Sequence, residues 1–262
     1  MGKYLAAISN SFKKNAIYRA NTFIMMFSVL LSFGVLFYFW SSIYRQGNQI
    51  GTYSFGEIIS YYIFIAIFEL IFTSNTAYGI GEEIKNGQIT NLVLKPMRYL
   101  EYKFAQSVGT LLYRFIFLMP VIVVIVYLMR NYLTYSHDNF GQLEIALLVL
   151  LAYVLNFLVY YIVGILSFWM IDNSGFYFAC LVVISFMQGQ WIPLDLLPKW
   201  FTVVESYLPF KYLFFVPVQI ASGRSAFYYY AAIIPLLWCV GLYFFAQFLY
   251  KKGIKKYEGY GI

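Results

Sequence analysis

The chain has 262 residues and a formal net charge of +7; 62% of its residues are hydrophobic, 23% aromatic and only 11% charged. A soluble globular domain carries about 25% charged residues, so the proportions exclude an ordinary soluble domain and point to an integral membrane protein. The basic residues collect at the edges of apolar runs instead of forming one continuous face, which argues against nucleic acid as a partner and for anionic membrane lipids.

At the N-terminus, Leu5, Ile8, Phe12 and Ala16 recur at helical spacing, while Lys3, Asn10, Lys13 and Asn15 occupy other faces. Over residues 1–21 this predicts an amphipathic helix lying along the inner headgroups, a disordered basic tail being the alternative. A hydrocarbon core of about 30 Å needs roughly 20 apolar residues at ~1.5 Å each. Six runs qualify: 22–44, 55–80, 104–128, 142–171, 175–191 and 226–250. The fifth is the shortest, and the fourth is long enough to tilt. The lysine-rich flank of the first run is like that of a signal peptide, yet FIMMFSVLLSFGVLFYFW exceeds the usual apolar region and no small-residue cleavage site follows it. It is read as a retained span.

The expected fold class is an all-α integral membrane protein, with residues 22–262 forming one six-span transmembrane domain. Twelve Lys and Arg residues flank one side of these spans and five the other. The positive-inside rule then places both termini and the loop 81–104 in the cytoplasm of a cell whose cytoplasmic membrane holds the chain.

That loop, GEEIKNGQITNLVLKPMRYLEYKF, carries seven of the chain's twenty-nine charged residues. Connections between neighbouring antiparallel helices are commonly about two to eight residues long, so its length needs a reason. Glu82, Glu83 and Lys85 give it a charged start and Ile84, Ile89, Leu92, Val93 and Leu94 an apolar set. Gly87 breaks the pattern, and Pro96 stops any helix near Leu94. A short helix with one apolar side needs cover, from the membrane interface or from a groove on a partner.

Beyond the fifth run, Pro193, Pro198, Pro209 and Pro217 cut residues 191–217 into pieces too short to span. Irregular backbone at membrane depth is tolerated only under protein or water cover, which predicts two short re-entrant or interfacial helices over 194–208 and 210–221. Asp195 and Lys199 stand four apart, a pairing worth about 0.3 kcal/mol on a helix. Trp191, Trp200 and Tyr207 suit an interfacial anchor.

Glu69 and Arg114 are the two ionisable residues deep in spans, about 16 and 15 Å from the cytoplasmic ends of their runs at helical rise. A lone charge at mid-bilayer costs roughly 3 kcal/mol on insertion scales. The matched depths predict neighbouring second and third spans joined by an intramembrane ion pair, either fixing helix register or facing substrate.

Chemistry by the chain itself has little support. Cys180 and Cys239 lie in apolar runs without metal-ligand spacing, His137 has no ligand partners nearby, and the carboxylates outside the loop are scattered. There is no GxxxxGK[ST], so the chain has no phosphate-binding loop of its own for ATP hydrolysis.

Two stretches carry a family resemblance. EIKNGQITNLVLKPM (83–97) resembles the cytosolic loop of permease subunits of type-2 ABC exporters, with its acidic residue, glycine, leucine run and proline in that order. WIPLDLLPKWFTVVESYLPFKYLFFVPVQIASG (191–223) is similar to the stretch between the fifth and sixth spans of the same permeases. With length and span number, the resemblance covers essentially the whole chain. It implies the transmembrane permease subunit of an ATP-driven exporter, working by alternating access. The partners it implies are a second permease subunit, identical or not, and two copies of a cytosolic ABC ATPase subunit that hold ATP and Mg; this chain binds no cofactor itself. Glu82, Glu83, Ile84, Gly87, Ile89, Leu92, Leu94 and Pro96 would form the coupling helix on which the ATPase docks. Pro193, Pro198, Trp200 and Pro209 would belong to an outer gate, and residues 1–21 to the interfacial connecting helix. The aromatic-rich interior leans toward hydrophobic or amphipathic cargo. A stand-alone secondary transporter or channel is the alternative; it would call for internal repeats and a coupling-ion site, and no repeat relates residues 1–130 to 131–262. A structural membrane scaffold is a third reading.

Overall fold

The computed structural model describes residues 2–17, 19–45, 47, 50–72, 75–93, 97–135, 139–170, 174–225 and 230–258. Within them the chain is helical: α1 (Gly2–Ile17), α2 (Arg19–Arg45), α3 (Phe55–Phe72), α4 (Thr76–Lys85), α5 (Ile89–Val93), α6 (Tyr99–Leu128), α7 (Asn139–Ile165), α8 (Ser174–Met187), α9 (Lys199–Ser206), α10 (Phe215–Ala221) and α11 (Tyr230–Glu258). The extended pairing among the described residues is one isolated bridge between Ile50 and Tyr53. Helices suit a lipid environment, because each satisfies its backbone donors within its own segment.

Five stretches are long and apolar enough to cross a membrane: Ala20–Arg45, Phe55–Lys85, Tyr99–Leu128, Leu143–Trp169 and Ala231–Tyr257. The fifth expected run differs. It forms α8, whose 14 residues reach about 21 Å at helical rise, less than a hydrocarbon core of about 30 Å, yet it carries the chain from the α4 end of the bundle to the end where Tyr61 and Tyr62 hold Gly189 and Trp191. The chain turns out of it at Gly189, whose φ of +79° suits glycine. From Leu194 onward short 3₁₀ turns alternate with α9 and α10, so the proline-divided segment holds four brief helical pieces in place of two helices. Pro193 and Pro198 put Asp195 in a 3₁₀ turn and Lys199 at the start of α9. The helical i,i+4 geometry expected for that pair therefore does not arise.

Two ends extend past their expected limits. α6 begins at Tyr99, drawing Glu101 and Lys103 into the helix, and α11 runs on to Glu258, so that Lys251, Lys252, Lys255 and Lys256 are helical. Pro120 and Pro235 lie inside α6 and α11 without ending them, a tolerance common in transmembrane helices.

α7 is the central element, packed against α3, α4, α10 and α11. Its Leu155, Tyr161 and Ile165 have no measurable exposure. Small residues set the closest approaches: a Cβ on Gly164 would lie 2.9 Å from Ile80 Cβ, and one on Gly253 would lie 2.3 Å from the Phe168 ring. Gly164 thus seats α4 against α7, and Gly253 lets α11 close over the turn that follows α7. α2 is peripheral, with Phe23, Phe27, Val35 and Tyr38 on its outward face.

α1 lies against α6 along its polar side. The Ser11 hydroxyl donates to the Gln106 carbonyl (2.8 Å), the Asn15 amide donates to Thr110 Oγ1 (3.3 Å), and the Tyr4 hydroxyl donates to the Glu101 carboxylate (2.5 Å). Leu5 and Ile17 remain outward. A helix thus covers Gly2–Ile17, and its polar stripe is spent largely on α6.

Candidate functional site

α1, the α4–α5 elbow, the start of α6 and the end of α11 share the end of the bundle that carries both termini. The elbow is built by its glycine. Asn86 N–H donates to the Glu82 carbonyl (2.9 Å) and Gly87 N–H to the Ile84 carbonyl (3.2 Å), closing α4. Gly87 then reverses the chain at φ +72°, with the Tyr257 hydroxyl of α11 3.6 Å from where a Cβ would sit. The expected single short helix is thus two helices around a turn, and Glu82, Glu83 and Ile84 belong to the first.

The predicted docking residues part company here. Ile84 and Ile89 are 7% and 0% exposed, filling the chain's own core, and Leu92 packs partly against it. The Glu83 carboxylate faces inward, 2.5 Å from the Lys103 ammonium and accepting the Tyr99 hydroxyl at 2.8 Å. Lys103 is only 5% exposed and lies 5.5 Å from the Tyr99 ring centroid. Glu82 accepts from the Asn86 amide at 3.3 Å near the surface. The outward face carries Lys85, Asn86, Gln88, Thr90 and Asn91. Leu94 and Pro96 lie outside the described residues. Glu83 and Lys103 are twenty positions apart in the sequence, and the fold brings them together between α4 and α6.

Beside the elbow, α1, α4 and α6 line an open cavity of about 490 Å³ whose residues are mostly polar, although their carbon atoms supply much of its wall. Sequence reading did not find it, because its hydroxyl and amide residues are dispersed over three segments.

Deeper in the bundle α3 packs against α6. α3 carries Glu69 and α6 carries Arg114, near enough to act on one another electrostatically across that contact. Arg114 is 7% exposed.

At the opposite end, the proline-rich segment is tied down by a polar network. The Tyr53 hydroxyl donates to the Asp195 carboxylate (2.9 Å), and the Gln219 amide donates to Tyr53 Oη (2.5 Å). Arg224 lies 3.7 Å over the Tyr53 ring and pairs with Glu57 at 2.5 Å. The Tyr61 and Tyr62 hydroxyls donate to the Gly189 and Trp191 carbonyls (2.6 and 2.7 Å). Of the residues assigned to a gate, Pro193 and Pro209 are buried, whereas Pro198 and Trp200 are exposed, Trp200 by 70%.

Glu205 in α9 is 3% exposed and accepts the Lys211 backbone N–H at 2.7 Å. Burial pushes its carboxyl up to about 7 against the opposing pull of Lys211. The folded segment thus holds a proton that the unfolded chain releases nearer pH 4.5, so local stability falls as pH rises between about 4.5 and 7. Hydrogen exchange of the α9 and Lys211 amides, corrected for intrinsic rate, is expected to show protection lost across that window. In Glu205→Gln the dependence should flatten; a wild-type profile already flat would rule this out.

Five helices long and apolar enough to cross, joined by the shorter apolar α8, define the class: a multi-pass helical membrane protein. No group of His, Cys, Asp and Glu among the described residues is arranged to hold a metal. The profile of the ABC-2 family transporter proteins matches residues 30–261, and the chain belongs to that family, whose members are membrane permeases of ABC transporters. Comparison with individually curated proteins gave no match.

Proposed function

We propose that the chain is the transmembrane permease of an ATP-driven exporter in the cytoplasmic membrane. In this reading both termini and the elbow face the cytoplasm. The chain pairs with a second permease subunit, identical or not, and two copies of a cytosolic ATPase subunit supply ATP and Mg. The observation that carries docking at the elbow is its two-sided construction. Ile84, Ile89 and Glu83 fasten it to α6 and α7, while Lys85, Asn86, Gln88, Thr90 and Asn91 stay outward. A push on the outer face would pass into two crossing helices without a flexible joint between.

Affinity purification of the chain should recover a soluble P-loop ATPase. Glu82→Lys combined with Thr90→Arg is expected to weaken that recovery about tenfold, a modest hot-spot loss, with the thermal stability of the isolated chain unchanged. Undiminished recovery would remove the docking claim.

At the opposite end, residues 191–223 act as the outer gate in this scheme, with the Tyr53–Asp195–Gln219 network as the tie that must yield when it opens. Within the bundle Glu69 and Arg114 serve as an ion pair fixing the register of α3 on α6. Each neutralisation alone, Glu69→Gln or Arg114→Gln, leaves a charge at membrane depth and should lower stability by roughly 3 kcal/mol. The double variant should recover most of it. Equal export loss in all three, with stability intact, would instead place the pair against cargo.

A further inference from the structure

The cavity between α1, α4 and α6 opens beside the docking face, sharing Glu82, Glu83 and Gln88 with the elbow, and its chemistry is specific. Five side-chain amides reach it, from Asn10, Asn15, Asn75, Gln88 and Gln106. Four hydroxyls join them, from Ser11, Thr76, Ser107 and Thr110. Two carboxylates, Glu82 and Glu83, face two ammonium groups, Lys14 and Lys103. The charged set is balanced, and the Glu83–Lys103 half is already paired. A ligand of high net charge therefore meets no compensating excess of opposite sign, whereas a neutral ligand dense in donors and acceptors meets both kinds of partner throughout. The amides of Asn10 and Asn75 have no hydrogen-bond partner among the described residues, and the Asn75 side chain does not cap α4 although it stands at its N-terminus. Tyr78, 48% exposed, supplies an aromatic face on the same wall.

We infer that this cavity is a binding site for a polyhydroxylated, uncharged group: a sugar or polyol moiety, held by amide and hydroxyl hydrogen bonds and stacked on Tyr78. The inference rests on the proposed orientation and export role, and it narrows the cargo. The hydrophobic part of an amphipathic molecule would remain with lipid, beside the outward Leu5 and Ile17 of α1, while its hydroxylated head occupies the cavity. Gln88 of the elbow lines the same space, so occupancy and the position of the elbow are in contact.

The test uses the full chain in lipid nanodiscs and two photoreactive probes of equal alkyl length, one an alkyl glucoside and the other an alkyl phosphocholine. Peptides of α1, α4 and the first turns of α6 should be labelled several-fold more by the glucoside. Asn10→Leu, Asn75→Leu and Tyr78→Leu should each lower that labelling about fivefold, the worth of one hydrogen bond or stacking contact. Competition by free glucose would show that the head alone suffices; labelling that survives free glucose but yields to unlabelled alkyl glucoside would show that the membrane anchor is needed. Both outcomes support the site. Equal labelling by the two probes, or labelling indifferent to the three variants, overturns it. Loss of ATPase recovery in the same variants would assign the cavity to the docking partner and also overturn it. Conversely, a wild-type chain that recovers no ATPase yet labels selectively would sink the docking reading and leave this one standing.

Discussion

Lys103→Met is expected to destabilise the isolated chain by about 3–5 kcal/mol, the usual cost of stranding one member of a buried ion pair. Lys103 comes from the second turn of α6 and Glu83 from the last turn of α4, so the 2.5 Å contact joins the two helices that flank the elbow. With the ammonium removed, the Glu83 carboxylate keeps the Tyr99 hydroxyl (2.8 Å) as its neutral partner and no longer has a compensating charge there. Glu83→Gln strands the cation in turn, at a Lys103 site 5% exposed beside the Tyr99 and Tyr102 rings. The double variant Glu83→Gln/Lys103→Met removes both charges and should regain most of the loss, since replacing a whole buried pair is often neutral. Glu82→Gln, one position away near the surface, should stay within about 0.5 kcal/mol of the parent. Chemical unfolding of the purified chain in detergent reads all four. Single variants indistinguishable from Glu82→Gln would show that Glu83 has no internal role and return it to the docking face.

That contrast between adjacent glutamates also marks the limit of what the sequence discloses. The crossings were legible because about twenty apolar residues in a row have few other uses, and five of the six expected runs correspond to helices long enough to cross. The length of the fifth was not, because composition reports apolarity and not where a helix ends; Gly189 and the prolines after it end α8 after 14 residues. For the elbow, the sequence identified Gly87 as a break and the segment as unusual. It did not disclose which side faces out, since Ile84 and Ile89 look like an uncovered apolar stripe until α7 and the core are seen to cover them. The matched depths of Glu69 and Arg114 did place α3 beside α6, because rise per residue is fixed in a helix. The polar cavity had no linear signature at all: its lining comes from residues 10–15, 75–88 and 103–110, unremarkable in each segment and concentrated only by folding.

Gly109→Ala should detach α1 from the bundle. A Cβ at this position would lie 2.3 Å from the Ile8 carbonyl oxygen, 2.9 Å from Ser11 Cβ and 3.1 Å from the Ile8 carbonyl carbon. Two of these three atoms are backbone, so no rotamer change relieves the clash, and the helix as a whole must move. Moving it gives up the Ser11 bond to the Gln106 carbonyl, the Ser11–Thr110 contact at 3.1 Å, the Asn15 bond to Thr110 and the edge-on packing of Phe12 against Tyr113. Overpacking of this kind costs about 1–3 kcal/mol, and each forfeited hydrogen bond adds about 1 kcal/mol. Because the loss is confined to one helix at the edge of the molecule, it should appear as faster hydrogen exchange across residues 2–17, with the amides of α7 unchanged. Gly241→Ala in α11 is the matched control, since nothing lies within 4 Å of its Cβ position and alanine favours a helix over glycine by up to about 1 kcal/mol. It should be neutral or slightly stabilising. α1 also forms one wall of the polar cavity, so Gly109→Ala should reduce alkyl glucoside labelling along with α1 protection. Protection of α1 that persists in Gly109→Ala would mean that the helix is held by the membrane surface alone, and that its hydrogen bonds to α6 are incidental.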